Sequence, residues 1–327
     1  MERRKLLIGG GAAAAIGVAA WVGLRRRGGG SSPISLRLAW LPGATFIGDY
    51  AAIHTSSWKT RGLDISLKPG GFEFDAIRLV AAGSDQFGVT SGPQLIQARA
   101  QGIPIVAIGS TIPRSPIGWV SHLDSGIVKP QDFRGKRIGA QFGTHTEVTF
   151  EALMAKLSIP LSAVERVPVK FDPALFLTKQ IDVLPVYLID QPIEFDSNGV
   201  KTNRIDPFDY DVGLNYGNLY FTTERLLKDS PDVVSAFVDG ARDGWVWAHS
   251  HQNEAAELLA AAAPTVPQAL HAAKADATFR FIAGKSEYRG IYPVSISGLL
   301  ATAELLKTYG KLEGNPSEFL KAASIAL

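Results

Sequence analysis

Short apolar stretches alternate with helical patterns along most of this chain, and no other feature constrains the fold as strongly. The body begins with apolar residues at every second position, Leu36, Leu38 and Trp40, as in a strand. A nearly continuous apolar run at 103–108 is typical of a strand covered on both faces. Repeated strand–helix alternation builds right-handed βαβ units. The sequence therefore predicts an α/β fold with mostly parallel sheets.

The alternation of predicted strands and helices is interrupted once, resumes, and is followed by helices alone. Further strands are predicted at 136–141, 164–171 and 181–189. After about Leu219 every predicted element is a helix, at 231–249, 254–262, 268–282 and 294–309. We therefore expect two α/β lobes and a helical C-terminal tail packed on the first lobe. A cleft between two lobes is a natural site for a small ligand.

The first 30 residues have the pattern of an export signal or an N-terminal anchor. Arg3-Arg4-Lys5 precedes the uncharged run Leu6–Leu24, and Arg25-Arg26-Arg27 follows it. The start resembles a twin-arginine signal, and 19 residues are also enough to span a bilayer. Cleavage and permanent anchoring both stay open, and the glycines and serines at 28–32 form a linker in either case.

Charge and cysteine content exclude several classes of protein. Six of the 33 basic residues and one of the 31 acidic residues lie within positions 1–30, so the remainder carries a net charge of −3. The sequence contains no basic patch with interleaved aromatic residues, so nucleic-acid binding is not expected. The chain has no cysteine, which excludes disulfides and thiolate metal sites. The six histidines lack metal-ligand spacing, no nucleophile motif occurs, and no cofactor is expected.

Two glycine-containing turns between a predicted strand and helix are candidate ligand contacts. One contains Ser91 and Gly92, and the other contains Thr144. Hydroxyls and free N–H groups at a helix N-terminus suit a polar ligand atom. Ordinary helix capping needs the same residues and is the alternative.

Aromatic residues at strand ends are the second group of candidates. Trp40 ends the first strand, where it can stack on a flat ring. Tyr187 closes an apolar strand just before Asp190 and Gln191, whose side chains can pair with ring nitrogens and amines. Tyr216 is a further candidate. Packing in the core is the alternative for each aromatic residue.

Several short motifs, taken in order, are similar to the thiamine-pyrimidine-synthase-like group of solute-binding proteins. The match runs from about Leu36 to Ala255. It is carried by Trp40-Leu41-Pro42, Gly62-Leu63-Asp64-Ile65, Gln86-Phe87-Gly88-Val89, Asp124-Ser125-Gly126-Ile127, Lys129-Pro130-Gln131-Asp132-Phe133-Arg134-Gly135-Lys136, Gln191-Pro192-Ile193 and Ile205-Asp206-Pro207.

The resemblance implies a two-lobed periplasmic-binding-protein fold that closes around a ligand. Lobe 1 would comprise residues 34–115 and 218–327, and lobe 2 would comprise residues 116–217. The implied function is extracytoplasmic delivery of a small molecule to the permease of an ABC importer by a monomer. The implied ligands are a pyrimidine precursor of thiamine, riboflavin, or a sulfonate such as taurine. The protein would contact the membrane only through its leader or through the permease.

An enzyme that builds the thiamine pyrimidine is the alternative from the same group. That branch carries a cysteine-rich motif, and this chain has no cysteine. Pyrimidine binders of the group commonly have an Asn-rich segment with a His after the first Trp-x-Pro. The corresponding segment here keeps only Thr45 and Asp49 as short polar residues, so a larger ring such as an isoalloxazine is an equal candidate.

The sequence thus predicts a binding site without catalytic residues. Its expected ligand contacts are Trp40, Thr45, Asp49, Ser91, Gly92, Thr144, Phe171, Asp172, Tyr187, Asp190 and Tyr216.

Overall fold

The computed structural model describes residues 34–71, 73–170, 172–284, 287–309 and 311–324. The predicted leader, residues 1–30, lies outside the described residues. The strands are β1 Ile34–Arg37, β2 Ile65–Lys68, β3 Phe87–Thr90, β4 Ile105–Arg114, β5 Ile117–His122, β6 Arg137–Ala140, β7 Glu165–Pro168, β8 Val183–Tyr187, β9 Thr202–Ile205 and β10 Asn215–Thr223.

The described helices alternate with these strands and then follow them without interruption. They are α1 Ile47–His54, α2 Ala76–Ala81, α3 Gly92–Ala100, α4 His145–Lys156, α5 Ala174–Leu177, α6 Gln191–Ser197, α7 Glu224–Asp229, α8 Pro231–Ser250, α9 Gln252–Ala262, α10 Gln268–Ala283, α11 Ile296–Thr308 and α12 Pro316–Phe319. No helix within the described ranges is both long and apolar enough to cross a membrane.

The strands form two five-stranded sheets. The first sheet has the order β2-β1-β3-β10-β4, and the second has the order β7-β6-β8-β5-β9. In each sheet the first three strands pair in parallel, and the last two pairings are antiparallel. The predicted two-sheet α/β fold is confirmed. The sheets are mixed rather than mostly parallel, because β10 and β5, neither of which the sequence pattern predicted, run antiparallel to both of their neighbours.

The chain passes between the two sheets twice. It leaves the first sheet at Arg114 and enters the second at Ile117, then leaves the second at Ile205 and returns at Asn215. The crossing segments lie side by side, since Ser115 N–H donates to Leu214 O over 2.8 Å. The two sheets are therefore joined through two neighbouring pieces of backbone.

The helical tail, which we define as residues 224–324, covers both faces of the first sheet. Helices α8, α9 and α10 pack with α1 on one face around residues such as Phe237 and Trp245. Helix α11 and residues up to Ala323 pack with α3 on the other face. Isolated bridges from Tyr292 and Ser324 also cover strand β4, which would otherwise be an open edge. The expected packing of the tail on the first sheet is confirmed.

Helices α1 and α8 approach closely because glycine occupies both sides of their contact. A Cβ added to Gly48 would lie 2.1 Å from Cγ of Trp245, which is fully buried. A Cβ on Gly244 would lie 2.4 Å from the carbonyl oxygen of Gly48. Next to this contact, Trp58 Nε1 donates to Phe237 O over 2.8 Å. Helix α1 is thereby fixed directly behind the segment that follows β1.

Gly48→Ala is expected to reduce the free energy of unfolding by about 1–3 kcal/mol, because the added methyl group must displace the buried Trp245 ring. Chemical denaturation measures this change. Gly43→Ala is the matched control, since its Cβ would meet only Leu41 O at 3.9 Å. Equal stability of the two variants would show that the helices can separate without cost.

Candidate ligand-binding cleft

A cleft of about 580 Å³ lies between the two sheets, a size typical of small-molecule sites. Both sheets contribute to its walls. The lining from the first sheet and its helices includes Ala39, Trp40, Thr45, Phe46, Phe74, Asp75, Thr90, Ser91, Gln94, Gly217 and Asn218. The lining from the second includes Ile117, Gln141, Thr144, His145, Lys170, Asp172, Tyr187, Asp190 and Gln191.

The first wall combines one large aromatic surface with several small polar groups. Trp40 follows β1, lines the cleft and is 41% exposed. Ser91 ends β3 and caps α3, where it forms a capping box with Gln94. The Asn218 amide donates to Thr45 O over 3.3 Å and so fixes the polar end of its own side chain. This wall can stack on a ring and hydrogen-bond to its edge.

The second wall presents a hydroxyl, an imidazole and a phenol. Thr144 caps α4 through Thr146 N–H at 3.2 Å, and its own hydroxyl donates to Gln141 O over 2.7 Å. Burial lowers the pKa of His145 to about 4, so its ring is neutral at physiological pH. Its ring has no hydrogen bond to the described residues and can donate to or accept from a ligand. Burial, with the charge of Asp190, raises the pKa of Tyr187, which therefore keeps its proton.

Carboxylates outnumber cations around the cleft. Asp75, Asp172 and Asp190 line it, whereas Lys170 is the one lysine or arginine among the lining residues that the structure describes. Each carboxylate has a partner. Asp75 caps α2, Asp172 accepts from Ala174 N–H over 2.9 Å, and Asp190 pairs with a lysine of the tail. Asp190 and Asp75 each belong to an ion pair, so among the described residues Asp172 is the lining carboxylate without an ion pair and can accept from a neutral or weakly basic ligand.

Seven of the residues predicted from sequence line the cleft together: Trp40, Thr45, Ser91, Thr144, Asp172, Tyr187 and Asp190. Three others lie behind its surface. Asp49 is buried against Tyr220, a Cβ on Gly92 would meet Asn215 O at 2.5 Å, and Tyr216 is buried. The Tyr216 hydroxyl instead accepts from Ser295 N–H over 3.0 Å. Phe171 lies outside the described residues.

The polar lining residues that sequence reasoning missed include Gln94, His145, Lys170 and Asn218. Gln94 follows from the capping-box spacing Ser-x-x-Gln, and His145 directly follows the predicted capping Thr144. Lys170 sits beside the predicted turn at 171–172. Asn218 lies on β10, a strand that the pattern did not predict, so no local signal pointed to it.

The buried carboxyl group of Asp49 lies beneath the first wall. The Tyr220 hydroxyl donates to its Oδ1, and Trp245 Nε1 donates to the Tyr220 oxygen over 2.9 Å. Within the described residues, Oδ2 of Asp49 and the hydroxyl of Tyr288 are buried without a hydrogen-bond partner. Burial raises the pKa of Asp49 to about 7, although the bond from Tyr220 opposes the shift.

The fold of the chain matches that of known binding proteins. The chain superimposes on the periplasmic aliphatic sulphonate binding protein SsuA from Escherichia coli with a TM-score of 0.70 and 18% identity, covering 86% of this chain and 89% of that one. The fold is therefore that of a periplasmic binding protein. The chain belongs to the NMT1/THI5 like family, whose model matches residues 44–255.

Of three relatives of this chain, two are named as binding proteins and one as a synthase. A formylaminopyrimidine-binding protein of Halalkalibacterium halodurans is 24% identical over 69% of each chain. The riboflavin-binding protein RibY of Chloroflexus aurantiacus is 24% identical over 69% of this chain and 65% of its own. A 4-amino-5-hydroxymethyl-2-methylpyrimidine phosphate synthase of Legionella pneumophila is 26% identical over 60% of this chain and 63% of its own.

The raised pKa of Asp49 predicts a stability that falls as pH rises. Between its unfolded pKa of 3.8 and its folded pKa of about 7, the folded protein holds a proton that the unfolded chain releases. The free energy of unfolding therefore decreases by up to about 1.4 kcal/mol per pH unit in this window from Asp49 alone. Denaturation of wild type and Asp49→Asn from pH 4 to 8 isolates this contribution as their difference. A difference that stays constant with pH would mean that Asp49 is ionised in the folded protein.

Proposed function

We propose that this protein is the extracytoplasmic solute-binding component of an ABC importer and that it holds a small nitrogen-containing ring in the cleft. The observation that carries the proposal is the composition of the two walls. A partly exposed Trp40 lines a cleft whose other polar groups include neutral donors and acceptors, such as Thr144, His145 and Asn218, as well as charged side chains. The names of the two binding-protein relatives support the same class of ligand.

The proposed lobes correspond to the two sheets, except that residues 215–217 of β10 fall in lobe 2. Lobe 1 comprises residues 34–115 and 218–327, lobe 2 comprises residues 116–217, and ligand binding closes one on the other. Trp40 stacks on the ring from lobe 1, while Thr144, Asp172, Tyr187 and Asp190 contact it from lobe 2. The protein acts as a monomer, delivers its ligand to a membrane permease, and reaches the membrane through that permease or its own leader.

A pyrimidine or an isoalloxazine fits these walls better than a sulfonate does. A sulfonate group carries a full negative charge, and the lining includes Asp172, a carboxylate that forms no ion pair with the described residues. A heterocycle with an exocyclic amine can instead donate to a carboxylate such as Asp172. Burial of the ring against Trp40 adds roughly 0.5–1.5 kcal/mol beyond the area term.

A pyrimidine-synthesising enzyme is the second candidate function, because one relative is named as such a synthase. The absence of cysteine from the whole chain weighs against that chemistry, since the resembling enzymes carry a cysteine-rich motif. The two functions differ in a simple respect. An enzyme converts its substrate, whereas a binding protein releases it unchanged.

A thermal-shift screen tests the proposal. The panel contains formylaminopyrimidine, hydroxymethylpyrimidine, thiamine, riboflavin, taurine and an alkanesulfonate. A ligand present at 100 times its Kd stabilises the protein by about 2.7 kcal/mol. A selective shift with one heterocycle is expected, and mass spectrometry should recover that compound unchanged. A shift with the sulfonates alone would overturn the ring-binding proposal.

Trp40→Ala is expected to weaken binding of the responding heterocycle by about tenfold or more, since it removes the stacking surface. Isothermal titration calorimetry measures the Kd. Ile53→Ala is the matched control, because Ile53 is 44% exposed and lies outside the cleft. Equal affinities of the two variants would remove Trp40 from the site.

A further inference from the structure

A lysine of helix α10 in the tail forms ion pairs with residues on the second sheet's side of the cleft. Lys274 Nζ lies 2.5 Å from Asp190 Oδ1 and 3.0 Å from Glu194 Oε2, although α10 packs on the first sheet. The lysine side chain is only 14% exposed. Burial acts to lower the pKa of Lys274, but the two carboxylates outweigh it and the net pKa is raised. The ammonium therefore stays charged and bound.

A second lysine of the tail makes a similar contact elsewhere on the second sheet. Lys311 Nζ lies 2.9 Å from Glu147 Oε2 in α4. The backbone oxygen of Lys311 also accepts from Gln97 of α3, over 3.4 Å, which ties this part of the tail to the first sheet. Burial acts to raise the pKa of Glu147, but bonds from Lys311 and Gly143 prevail and lower it, so its carboxylate stays ionised.

Asp190 and Glu147, which pair with the two lysines, each belong to or fix a loop that lines the cleft. Asp190 lines the cleft itself and immediately precedes α6. Glu147 Oε2 accepts the N–H of Gly143 over 2.8 Å and so fixes the turn that presents Thr144 and His145. Each lysine therefore connects the first sheet, through the tail, to one cleft loop of the second sheet.

The two contacts differ from ordinary surface ion pairs. Exposed pairs of long side chains contribute little because water screens them and both side chains lose freedom. Here Lys274 and Lys311 are 14% and 29% exposed, and Glu147 is 10% exposed. The Glu147 carboxylate is also held by Gly143 N–H, which reduces the entropy lost on pairing, whereas Lys274 bridges two carboxylates that are more exposed.

We propose that Lys274 and Lys311 are positioning residues that hold the two cleft loops of the second sheet at the distance from Trp40 that ligand binding requires. This inference rests on the proposed function for its role in affinity. Its structural part, that these two pairs set the separation of the cleft walls, stands without any ligand. Neutralising both lysines lets the walls move apart and lowers the population of the binding-competent form.

The absence of cysteine makes the wall separation directly measurable. Arg78→Cys and Ala174→Cys place one spin label on each side of the cleft, on the exposed surfaces of α2 and α5. Double electron–electron resonance is recorded on the ligand-free protein. Lys274→Met with Lys311→Met is expected to broaden the distance distribution toward longer values. Lys274→Arg with Lys311→Arg is expected to keep the original distribution.

Arg280→Met is the matched control, because it removes an ion pair of the same helix, with Asp276, that stays within the tail. Salt provides a test that needs no variant at the lysines. Raising the ionic strength from about 0.1 to 1 M shortens the Debye length from roughly 10 to 3 Å. Both pairs are short and partly shielded from water, so salt weakens them only in part. At high salt the labelled protein with both lysines intact should shift toward longer distances, but by less than the double Met substitution causes, and the double Met variant should change little with salt.

Affinity is the second readout. The double Met variant is expected to bind formylaminopyrimidine or riboflavin, whichever stabilises the wild type, about three- to tenfold more weakly. Unchanged distances in the double Met variant would overturn the proposal, as would equal opening in Arg280→Met. A panel without any binder would contradict the proposed function alone, because the ligand-free distances still decide the role of the lysines.

Discussion

The pairing of β10 between β3 and β4 is the constraint on which the rest of the structure depends. Strand β10, residues 215–223, belongs to the first sheet but follows every strand of the second sheet along the chain. The chain therefore crosses between the sheets twice. The two crossings run side by side through Ser115 and Leu214. A cleft must then lie beside them, and Gly217 and Asn218 of β10 accordingly form part of its wall. The ligand site is a consequence of how the first sheet closes.

The sequence predicted elements with a clear period and missed the strand that closes this sheet. The apolar stripe of α8 gave its bounds almost to the residue, Pro231–Ser250 against a prediction of 231–249. Strand β10 contains Asn215, Gly217 and Asn218, and it is buried on both faces, so neither alternation nor an apolar run marks it. Its antiparallel direction depends on the distant crossing, which no local pattern encodes.

The same contrast applies to the cleft. Residues at turns between a strand and a helix, such as Ser91 and Thr144, could be predicted because capping chemistry is local. The place of Asp49 could not be, because it depends on the rotation of α1 that Gly48 and Trp245 impose. That rotation turns the carboxyl group onto Tyr220 and away from the ligand space. Composition thus suggested a polar ligand contact where packing made a buried acid.

The two walls of the cleft are held by different kinds of interaction, and this difference shapes how the site can work. The segment with Trp40 and Thr45 rests on close helix packing and on the buried Asp49–Tyr220–Trp245 network, which leaves it little freedom to move. The opposite loops, at Thr144 and Asp190, are tied to the tail by ion pairs that reach across from the first sheet. Packing is insensitive to salt, whereas ion pairs are weakened by it. If the cleft binds a ring as proposed, adjustment to that ring therefore falls to the second wall, while the first wall stays fixed.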